Sequence, residues 1–232
     1  MLRALIILLV ALGLLGAGCG GSSNDGTATS TEAAATDTTA GTTAAVGADG
    51  CTDVAVPAPR KAGNATAPKE RLDPEKSYTL VFKTNCGSFT VALALDSAPA
   101  TAASLVFLTR AGFFNDTIFH RIVPGFVIQG GDPTQTGNGG PGYQTVDPPA
   151  SDASYTKGVV AMAKTDTEPA GTAGSQFFVV TGADVGLPPD YAVVGNVTSG
   201  LAVVERIGEL GDPATEKPTR PVVIESVTVE EQ

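Results

Sequence analysis

The residues that could carry out chemistry are concentrated in residues 119–132, with the sequence FHRIVPGFVIQGGD. This stretch contains the only histidine of the chain, His120, followed by Arg121 and then by Phe126 and Gln129. An arginine side chain stays charged at physiological pH and presents a rigid fork of hydrogen-bond donors. A fixed cation beside apolar and amide side chains suits electrostatic stabilisation of a group whose charge shifts during a reaction, without a covalent or metal-bound step.

Other chemistries find less support in the sequence. Ser175 is not flanked as in a nucleophile elbow and the histidine belongs to another block, so a hydrolytic triad is not expected. Gly130, Gly131 and the glycines of residues 137–142 lack a following GK[ST] and do not open a helix, so we interpret them as a turn-rich loop. Asp132 is interpreted as a turn residue. The sequence shows no cluster of histidines and cysteines, and no metal site is expected.

The beginning of the chain and its charge indicate export. Residues 1–18 combine a cationic start with an apolar run of about 15 residues, shorter than the roughly 20 of a membrane span and typical of a secretory signal. Cys19 follows small residues and resembles the lipidated cysteine of bacterial lipoproteins, so we expect a lipid anchor there; an ordinary cleaved signal peptide is the alternative. The 24 acidic residues outnumber the 14 basic ones, which argues against nucleic acid as a partner.

Two segments precede the folded domain. Residues 19–50 are rich in Ser, Thr, Ala and Gly with almost no large apolar side chain, which predicts a disordered tether. Residues 51–77 are rich in Pro and Ala, and we predict an irregular segment along the domain surface. Cys51 and Cys86 are expected to form a disulfide that holds this segment, because the sequence indicates export to an oxidising compartment.

Residues 78–232 contain short strand-like runs and form the predicted domain. YTLVFKT and SFTVALAL flank Asn85-Cys86-Gly87, which reads as a hairpin turn. Further strands are predicted at TIFHRIV, FVIQGG, KGVVAMA, SQFFVVT, YAVVGNV and PVVIESVTVEE. One helix is predicted between Pro99 and Gly112, and a second at SGLAVVERIGEL with Ser199 near its cap. Seven or eight strands with two helices predict an antiparallel barrel capped at its ends, with a β-sandwich as the alternative.

Four blocks of this domain resemble the cyclophilin family of peptidyl-prolyl cis-trans isomerases. They are FHRIVPGFVIQGGD at 119–132, GVVAMA at 158–163, GSQFFVVT at 174–181 and LPPDYAVVGNV at 187–197, in the family's order and near its spacing. The resemblance implies a mainly β fold: a closed eight-stranded antiparallel β-barrel capped by two α-helices. It also implies isomerisation of X-Pro peptide bonds without a metal, nucleotide or organic cofactor.

The resemblance further implies roles for individual residues. Arg121, Phe126 and Gln129 are expected to be catalytic, with the arginine donating to the proline nitrogen and the glutamine orienting the arginine. The expected substrate-binding residues are His120 and Gln176 beside the arginine, Met162 and Ala163 for main-chain contact with the residue before proline, and Val127, Phe178, Leu187 and Tyr191 around the proline ring. Tyr191 and Lys164 depart from the histidine and asparagine that are usual in the family.

Each of these assignments has an alternative. Taken alone, Phe126 and Phe178 could be barrel core, and His120 could be a hydrogen-bonded structural histidine. The domain as a whole could be a proline-peptide-binding module or scaffold with little or no turnover. We expect instead an exported, lipid-anchored, monomeric isomerase that assists protein folding outside the cytoplasmic membrane, with proline-containing segments of client proteins as its partners.

Overall fold

A computed structural model of the chain describes residues 46–232, so the predictions for residues 1–18, for Cys19 and for most of the tether lie outside it. The described part contains eleven strands and two helices. The strands are β1 (Tyr78–Thr84), β2 (Gly87–Leu93), β3 (Thr117–Ile118), β4 (Arg121–Val123), β5 (Val127–Gly130), β6 (Thr145–Val146), β7 (Val159–Met162), β8 (Thr172–Ala173), β9 (Phe177–Val180), β10 (Val193–Ser199) and β11 (Val223–Glu231). The helices are α1 (Pro99–Arg110) and α2 (Leu201–Gly208). Neither helix is long and apolar enough to cross a membrane.

Nine strands form one antiparallel sheet in the order β3, β11, β1, β2, β10, β7, β9, β5, β4, and β6 pairs with β8. The hairpin between β1 and β2 is confirmed, and Gly87 closes it with a φ of 115°. The predicted strands and both helices are present. The strands β6 and β8 were not predicted, because two residues are too few to show an alternating pattern.

The two edges of the sheet are formed by neighbouring parts of the chain. Only Phe119 and His120 separate β3 from β4. The Phe119 N–H donates to the carbonyl of Val222 next to β11 (3.0 Å), whereas the His120 N–H donates to the carbonyl of Gln129 in β5 (3.1 Å). The segment therefore passes from one edge to the other, and the sheet is curled.

This arrangement differs in part from the closed eight-stranded barrel that we expected. The ladder has nine strands, because the predicted strand TIFHRIV is divided into β3 and β4 where it changes partners. Besides the two-stranded pair of β6 and β8, the described residues contain one curled sheet with helices against it and not two large packed sheets, so the sandwich alternative is wrong. The coarser prediction of a mainly β antiparallel fold with two helices is confirmed.

The helix caps show where a sequence prediction was incomplete. Pro99 stands in the first turn of α1, as predicted, but the free amides of that turn are satisfied by Asp147, which accepts from the N–H of Thr101 (2.7 Å). Ser199 does not cap α2; the N-cap is Gly200, whose φ of 74° turns the chain from β10 into the helix. Glycine suits that left-handed conformation because it has no Cβ.

Two buried apolar clusters lie on opposite faces of the sheet. The larger one is the main core, in which the rings of Phe82 and Phe89 stack 4.7 Å apart. Along β9, Phe177 belongs to the main core and Phe178 to the smaller cluster. This follows from strand geometry, since successive side chains point to opposite faces. The smaller cluster lies on the face that carries most of the predicted site residues.

The segment before β1 has the irregular form that its composition predicts. Residues 53–77 contain no helix or strand. The predicted disulfide between Cys51 and Cys86 is confirmed. It closes a loop of 35 residues in sequence separation, for which the loop-entropy estimate gives about 3 to 4 kcal/mol. Arg220 adds an ion pair to Asp53 (2.6 Å) and another to Asp49.

Candidate active site

Strand register places three of the predicted site residues in one row across the sheet. Arg121 of β4 lies opposite Gln129 of β5, and Gln129 lies opposite Phe178 of β9. Directly opposed residues on neighbouring antiparallel strands project from the same face with their side chains close together. The cation, the amide and the aromatic ring therefore project from the same face of the sheet.

The Arg121 side chain lies beside the apolar surface and is about one third exposed, at 35%. Its Nε donates to Oε2 of Glu216 (2.7 Å), and its Nη1 is 3.4 Å from Oε1 of Gln129. Its Cζ is 6.0 Å from the centroid of the Phe126 ring, at the limit of a cation–π contact. The guanidinium is thus fixed at one edge, and its other edge faces the ring and the amide.

Glu216 was not predicted as part of the site. It lies in the loop between α2 and β11, and the N–H of Ile122 in β4 donates to its carbonyl (2.9 Å). This backbone contact brings the carboxylate next to Arg121, which is 95 residues away in sequence. No local pattern signals such a pairing, because it depends on how the loop docks along β4.

Gln129 is held by a chain of amide hydrogen bonds that runs through Gln176. Its Nε2 donates to Oε1 of Gln176 (3.1 Å), and Nε2 of Gln176 donates to the carbonyls of Gly137 and Gly139 (both 2.9 Å). If every amide N–H is to meet an acceptor, the side-chain amide of each glutamine is limited to one orientation. Gln176 therefore acts on Arg121 through Gln129 and makes no hydrogen bond to the arginine among the described residues.

Asp132 organises the loop that provides those two carbonyls. Its fully buried carboxylate accepts from the N–H groups of Thr134 (2.7 Å), Thr136 (3.1 Å), Gly137 (2.7 Å) and Gly139 (3.1 Å). Burial by itself would raise the pKa of Asp132, but these hydrogen bonds outweigh it and hold the pKa below its usual value. The interpretation as a turn residue was correct but too narrow, since this side chain fixes the whole loop.

The expected proline-ring residues belong to the smaller cluster. Val127 and Phe178 are buried within it, and Phe126, Leu187 and Tyr191 are half-buried against it. The ring of Tyr191 meets that of Phe178 edge-on at 5.6 Å. The result is an apolar surface with buried side chains below and partly exposed ones at its edges. Phe126 and Phe178 are therefore not part of the main core, which was the alternative.

Tyr155 is a support that sequence reasoning missed. It is fully buried, and its hydroxyl donates to the carbonyl of Tyr191 (2.8 Å) and accepts from the N–H of the same residue (3.0 Å). Burial raises the pKa of Tyr155, so the hydroxyl remains protonated and able to donate. One side chain thereby fixes both backbone groups of Tyr191.

Met162 ends β7 and Ala163 follows it, and both were expected to touch a substrate through the main chain. The Met162 side chain is fully buried in the main core, on the face opposite to Ala161 and Ala163, and its N–H donates to the carbonyl of Ala192 (2.9 Å). Contact between its main chain and a substrate stays a prediction. Ala163 is half-buried against the smaller cluster, as expected for a surface that a peptide could touch.

His120 was expected to support the arginine, or else to be a hydrogen-bonded structural residue. Both of its ring nitrogens are buried without a hydrogen-bond partner among the described residues, so the hydrogen-bonded alternative is wrong, whereas support of the arginine stays a prediction. Burial lowers its pKa, Arg121 adds to that effect and Asp132 opposes it. The ring is therefore neutral at neutral pH.

Lys164 is one of the departures from the family pattern. Its side chain is only 2% exposed, and its Nζ pairs with Asp190 (2.6 Å) and lies 5.5 Å from the ring centroid of Tyr191. The hydrogen bond to Asp190 raises the pKa of Lys164, so the ammonium stays charged. Its Nζ also donates to the carbonyl of Glu168 (3.1 Å), which holds the loop after β7.

Within residues 46–232 no group of histidine, cysteine and acidic side chains is arranged to hold a metal ion. The site presents the chemistry of the side chains described above. It consists of one fixed cation, two oriented amides and an apolar surface.

Comparison with known proteins agrees with this geometry. The family model for cyclophilin-type peptidyl-prolyl cis-trans isomerases matches residues 79–229. Peptidyl-prolyl cis-trans isomerase A of Mycobacterium tuberculosis is 36% identical over 174 residues, covering 67% of this chain and 94% of its own. Peptidyl-prolyl cis-trans isomerase-like 1 of Aspergillus oryzae is 37% identical over 157 residues, covering 66% and 96%.

A solved structure is similar to the same part of the chain. It is a cyclophilin-type peptidyl-prolyl cis-trans isomerase of Cryptosporidium parvum in the presence of the dipeptide Ala-Pro, with a TM-score of 0.61 and 28% identity. The similarity covers 66% of this chain and 98% of that one. The motifs, the fold and these relatives lead to one conclusion: the chain belongs to the cyclophilin-type peptidyl-prolyl cis-trans isomerase family.

Proposed function

We propose that this protein isomerises X-Pro peptide bonds in unfolded segments of client proteins, at the surface formed by Arg121, Gln129, Phe126 and Phe178. The observation that carries the proposal is the row of Arg121, Gln129 and Phe178 across three neighbouring strands. The Ala-Pro dipeptide present with the Cryptosporidium relative supports a proline-containing ligand here too. The proline ring would rest on the apolar cluster, and the peptide backbone would face the guanidinium and the amide.

The reaction needs only a weaker amide resonance. The partial double bond of the peptide linkage sets a barrier of about 18 to 20 kcal/mol to rotation. As the bond twists, the proline nitrogen becomes pyramidal and gains a lone pair that can accept a hydrogen bond. Arg121 can donate to that nitrogen without proton transfer, because it remains charged and its Nε is already fixed by Glu216.

A charge-assisted hydrogen bond of this kind contributes about 1.5 to 3 kcal/mol. At about 1.4 kcal/mol per tenfold change in rate, Arg121 would supply about one to two decades of acceleration. The remainder must come from pre-organisation, for which the amide chain through Gln129 and Gln176 and the apolar surface provide the structural basis.

We also propose that the protein is exported and anchored to the outer face of the cytoplasmic membrane. The sequence of residues 1–18 and Cys19 supports export and lipid anchoring, and the Cys51–Cys86 disulfide is consistent with an oxidising compartment. A tethered monomer outside the cytoplasmic membrane would reach clients as they emerge unfolded. Mass spectrometry of the intact membrane-extracted protein tests this part: acylation of Cys19 adds the mass of a lipid, and an unmodified mass refutes the anchor.

The experiment that tests the activity is a protease-coupled isomerisation assay on an Ala-Pro peptide with the full chain. Wild type should exceed the uncatalysed rate, and Arg121→Ala should lower kcat/KM by about one to two decades. Arg110→Ala is the matched control, since Arg110 is an exposed arginine at the end of α1 that pairs with Glu231. A wild-type rate equal to background, together with measurable peptide binding, would show the binding module instead.

A further inference from the structure

A short segment outside the family region packs against the loop that supports the active site. We call residues 57–65 the strap and residues 132–142 the glycine-rich loop. The strap precedes the matched region, which begins at residue 79. The glycine-rich loop contains no helix or strand, and it provides the carbonyls of Gly137 and Gly139 that hold Gln176. The position of these two carbonyls therefore depends on what fixes the loop.

The glycine-rich loop needs contacts from outside to keep one conformation. Four of its residues are glycine, which loses more backbone freedom on ordering than any other residue. The Asp132 carboxylate accepts from four N–H groups of the loop. A carboxylate cannot donate to carbonyls, however, so the carbonyls of the loop need donors from another part of the chain.

The strap supplies such donors through its own backbone. Three of its N–H groups donate to carbonyls of the loop: Arg60 to Pro133 (2.8 Å), Gly63 to Gly140 (2.8 Å) and Ala65 to Pro141 (2.9 Å). The side chain of Gln135 in the loop donates in return to the carbonyl of Pro57 (2.8 Å). These bonds lie before and after Gly137 and Gly139 in the sequence, so the strap holds both ends of the stretch that bears the two carbonyls.

The strap is in turn held by the domain. The guanidinium of Arg60 donates to the carbonyls of Phe113 and Asn115, the latter at 3.1 Å. The disulfide between Cys51 and Cys86 fixes the chain shortly before the strap begins. A segment with these attachments has already lost much of its conformational freedom. It can therefore serve as a rigid support for the loop.

The strap and the loop meet backbone to backbone, without side chains between them. A Cβ on Gly63 would lie 2.8 Å from the carbonyl oxygen of Pro141, and one on Gly142 would lie 2.7 Å from the carbonyl oxygen of Gly63. Both distances are shorter than a carbon–oxygen contact allows, and no side chain can move aside to relieve them. A single added methyl group at Gly63 would thus separate the two segments.

We propose that the strap is a positioning element for catalysis. It fixes the glycine-rich loop, whose carbonyls orient Gln176; the amide of Gln176 then orients Gln129, which lies 3.4 Å from Nη1 of Arg121. The strap acts on the reaction only through this chain of hydrogen bonds. This inference rests on the proposed isomerase function and assigns part of it to a segment outside the family region.

The first test compares Gly63→Ala with Asn64→Ala in the full chain. Gly63 does not have a left-handed φ, so alanine changes only its contact with the loop. Asn64 is the matched control, because it is exposed and its side chain makes no hydrogen bond among the described residues. Gly63→Ala should lower kcat/KM for an Ala-Pro peptide about fivefold, as expected for one weakened hydrogen bond, and Asn64→Ala should not. Urea unfolding shows that each variant is folded in the assay, and equal rates in the two variants would overturn the proposal.

A double-mutant cycle with Gln176→Ala tests the route. Residues that act through one hydrogen-bonded chain show non-additive effects. With Gln176 already replaced, Gly63→Ala should lower kcat/KM by less than about twofold further, because the chain is already interrupted. The same fivefold loss in both backgrounds would show that the strap does not act through Gln176, and the proposal would be wrong.

A milder pair of variants decides the question if Gly63→Ala does not fold. Arg60→Ala removes the side-chain bonds that hold the strap and leaves its backbone unchanged. Lys61→Ala is the matched control, since Lys61 is the next residue, is also exposed and makes no ion pair among the described residues. Arg60→Ala should lower kcat/KM about two- to threefold and Lys61→Ala should not. Equal rates in this pair would again overturn the positioning role.

Nuclear magnetic resonance gives a readout that does not require turnover. The side-chain amide signals of Gln129 and Gln176 should shift in Gly63→Ala and keep their positions in Asn64→Ala. Unchanged signals in Gly63→Ala would overturn the positioning role whatever the rates are. A wild type without turnover would refute the proposed isomerase function, and the amide signals would still show whether the strap positions the two glutamines.

Discussion

The carboxylate of Glu216 accepts a hydrogen bond from Nε of Arg121 at 2.7 Å, on the edge of the guanidinium away from Gln129. Both side chains are partly exposed, at 35% for Arg121 and 48% for Glu216. An ion pair in such a setting is weakened by solvent, and its contribution is about 0 to 1 kcal/mol. We interpret Glu216 as a positioning residue, which limits the rotamers of the arginine and takes no part in the reaction.

Glu216→Gln should therefore reduce kcat/KM by no more than about fivefold, because an amide oxygen can still accept from Nε. The loss should appear at low salt and diminish at high salt, where wild type itself is screened. The isomerisation assay at two salt concentrations checks this, with Glu209→Gln as a control on an acidic residue for which no ion pair is found among the described residues. A loss as large as that of Arg121→Ala would contradict a positioning role.

Asp132→Asn should affect stability and activity together. Asparagine keeps one acceptor oxygen but turns an NH₂ group towards amides that also donate, so about 1 to 3 kcal/mol of unfolding free energy should be lost. Urea unfolding measures this loss. Since the loop carries the carbonyls that hold Gln176, kcat/KM should fall severalfold even where the variant is fully folded.

The control for that substitution is Asp152→Asn, which changes an exposed aspartate in a turn. Asp152→Asn should leave the unfolding free energy and kcat/KM unchanged. If Asp132→Asn lost stability while kcat/KM stayed at the wild-type value, the loop would be structural only and the link from Asp132 to Gln129 through Gln176 would be wrong.

The elements of the fold could be predicted largely from local patterns. β1 begins and ends at the predicted residues, because YTLVFKT alternates and is bounded by a turn that needs glycine. Pro99 marked the start of α1. The division of TIFHRIV into β3 and β4 could not be predicted, since it results from the chain exchanging its partner from β11 to β5 at Phe119 and His120.

The site could be predicted where its residues share a motif and a face. Arg121, Gln129 and Phe178 come from two of the recognised blocks, and the period of two in a strand places them together. The same period turns the Met162 side chain into the main core, which leaves only its main chain for the predicted contact with a substrate. Glu216 and Tyr155 could not be predicted, because each reaches the site through long-range packing that leaves no local periodicity.

Stability should decrease at mildly acidic pH because of His120. Burial lowers its pKa from the ordinary value of 6.5, so between the folded pKa and 6.5 the unfolded chain binds a proton that the folded chain does not. The stability contribution is fully present above pH 6.5 and is lost as the pH falls through 6.5 towards the folded pKa. Asp132 and Glu168 have lowered pKa values and titrate below this range.

The measurement is the unfolding free energy at pH 7.5 and at pH 5.5 for wild type and for His120→Gln. Because this is the only histidine, the difference between the two proteins isolates its contribution. Wild type should lose more stability than the variant over this interval. An equal loss, or a wild type that gains stability on acidification, would show that the ring is not held in its neutral form.

Removal of the buried Tyr155 hydroxyl should raise KM more than it changes kcat. Tyr155→Phe leaves the N–H and the carbonyl of Tyr191 without their shared partner, which should cost about 1 to 3 kcal/mol of unfolding free energy. The ring of Tyr191 packs against Phe178 at 5.6 Å, so its displacement should loosen the surface for the proline ring and raise KM. The change in kcat should be smaller, because Arg121 and Gln129 are held by other contacts. Tyr78→Phe is the matched control: Tyr78 begins β1, and its hydroxyl accepts from the N–H of Asp73 (3.3 Å), so the loss of this hydroxyl should leave KM unchanged. A Tyr155→Phe enzyme with wild-type KM, or one in which kcat alone falls, would mean that Tyr191 does not border the proline-binding surface.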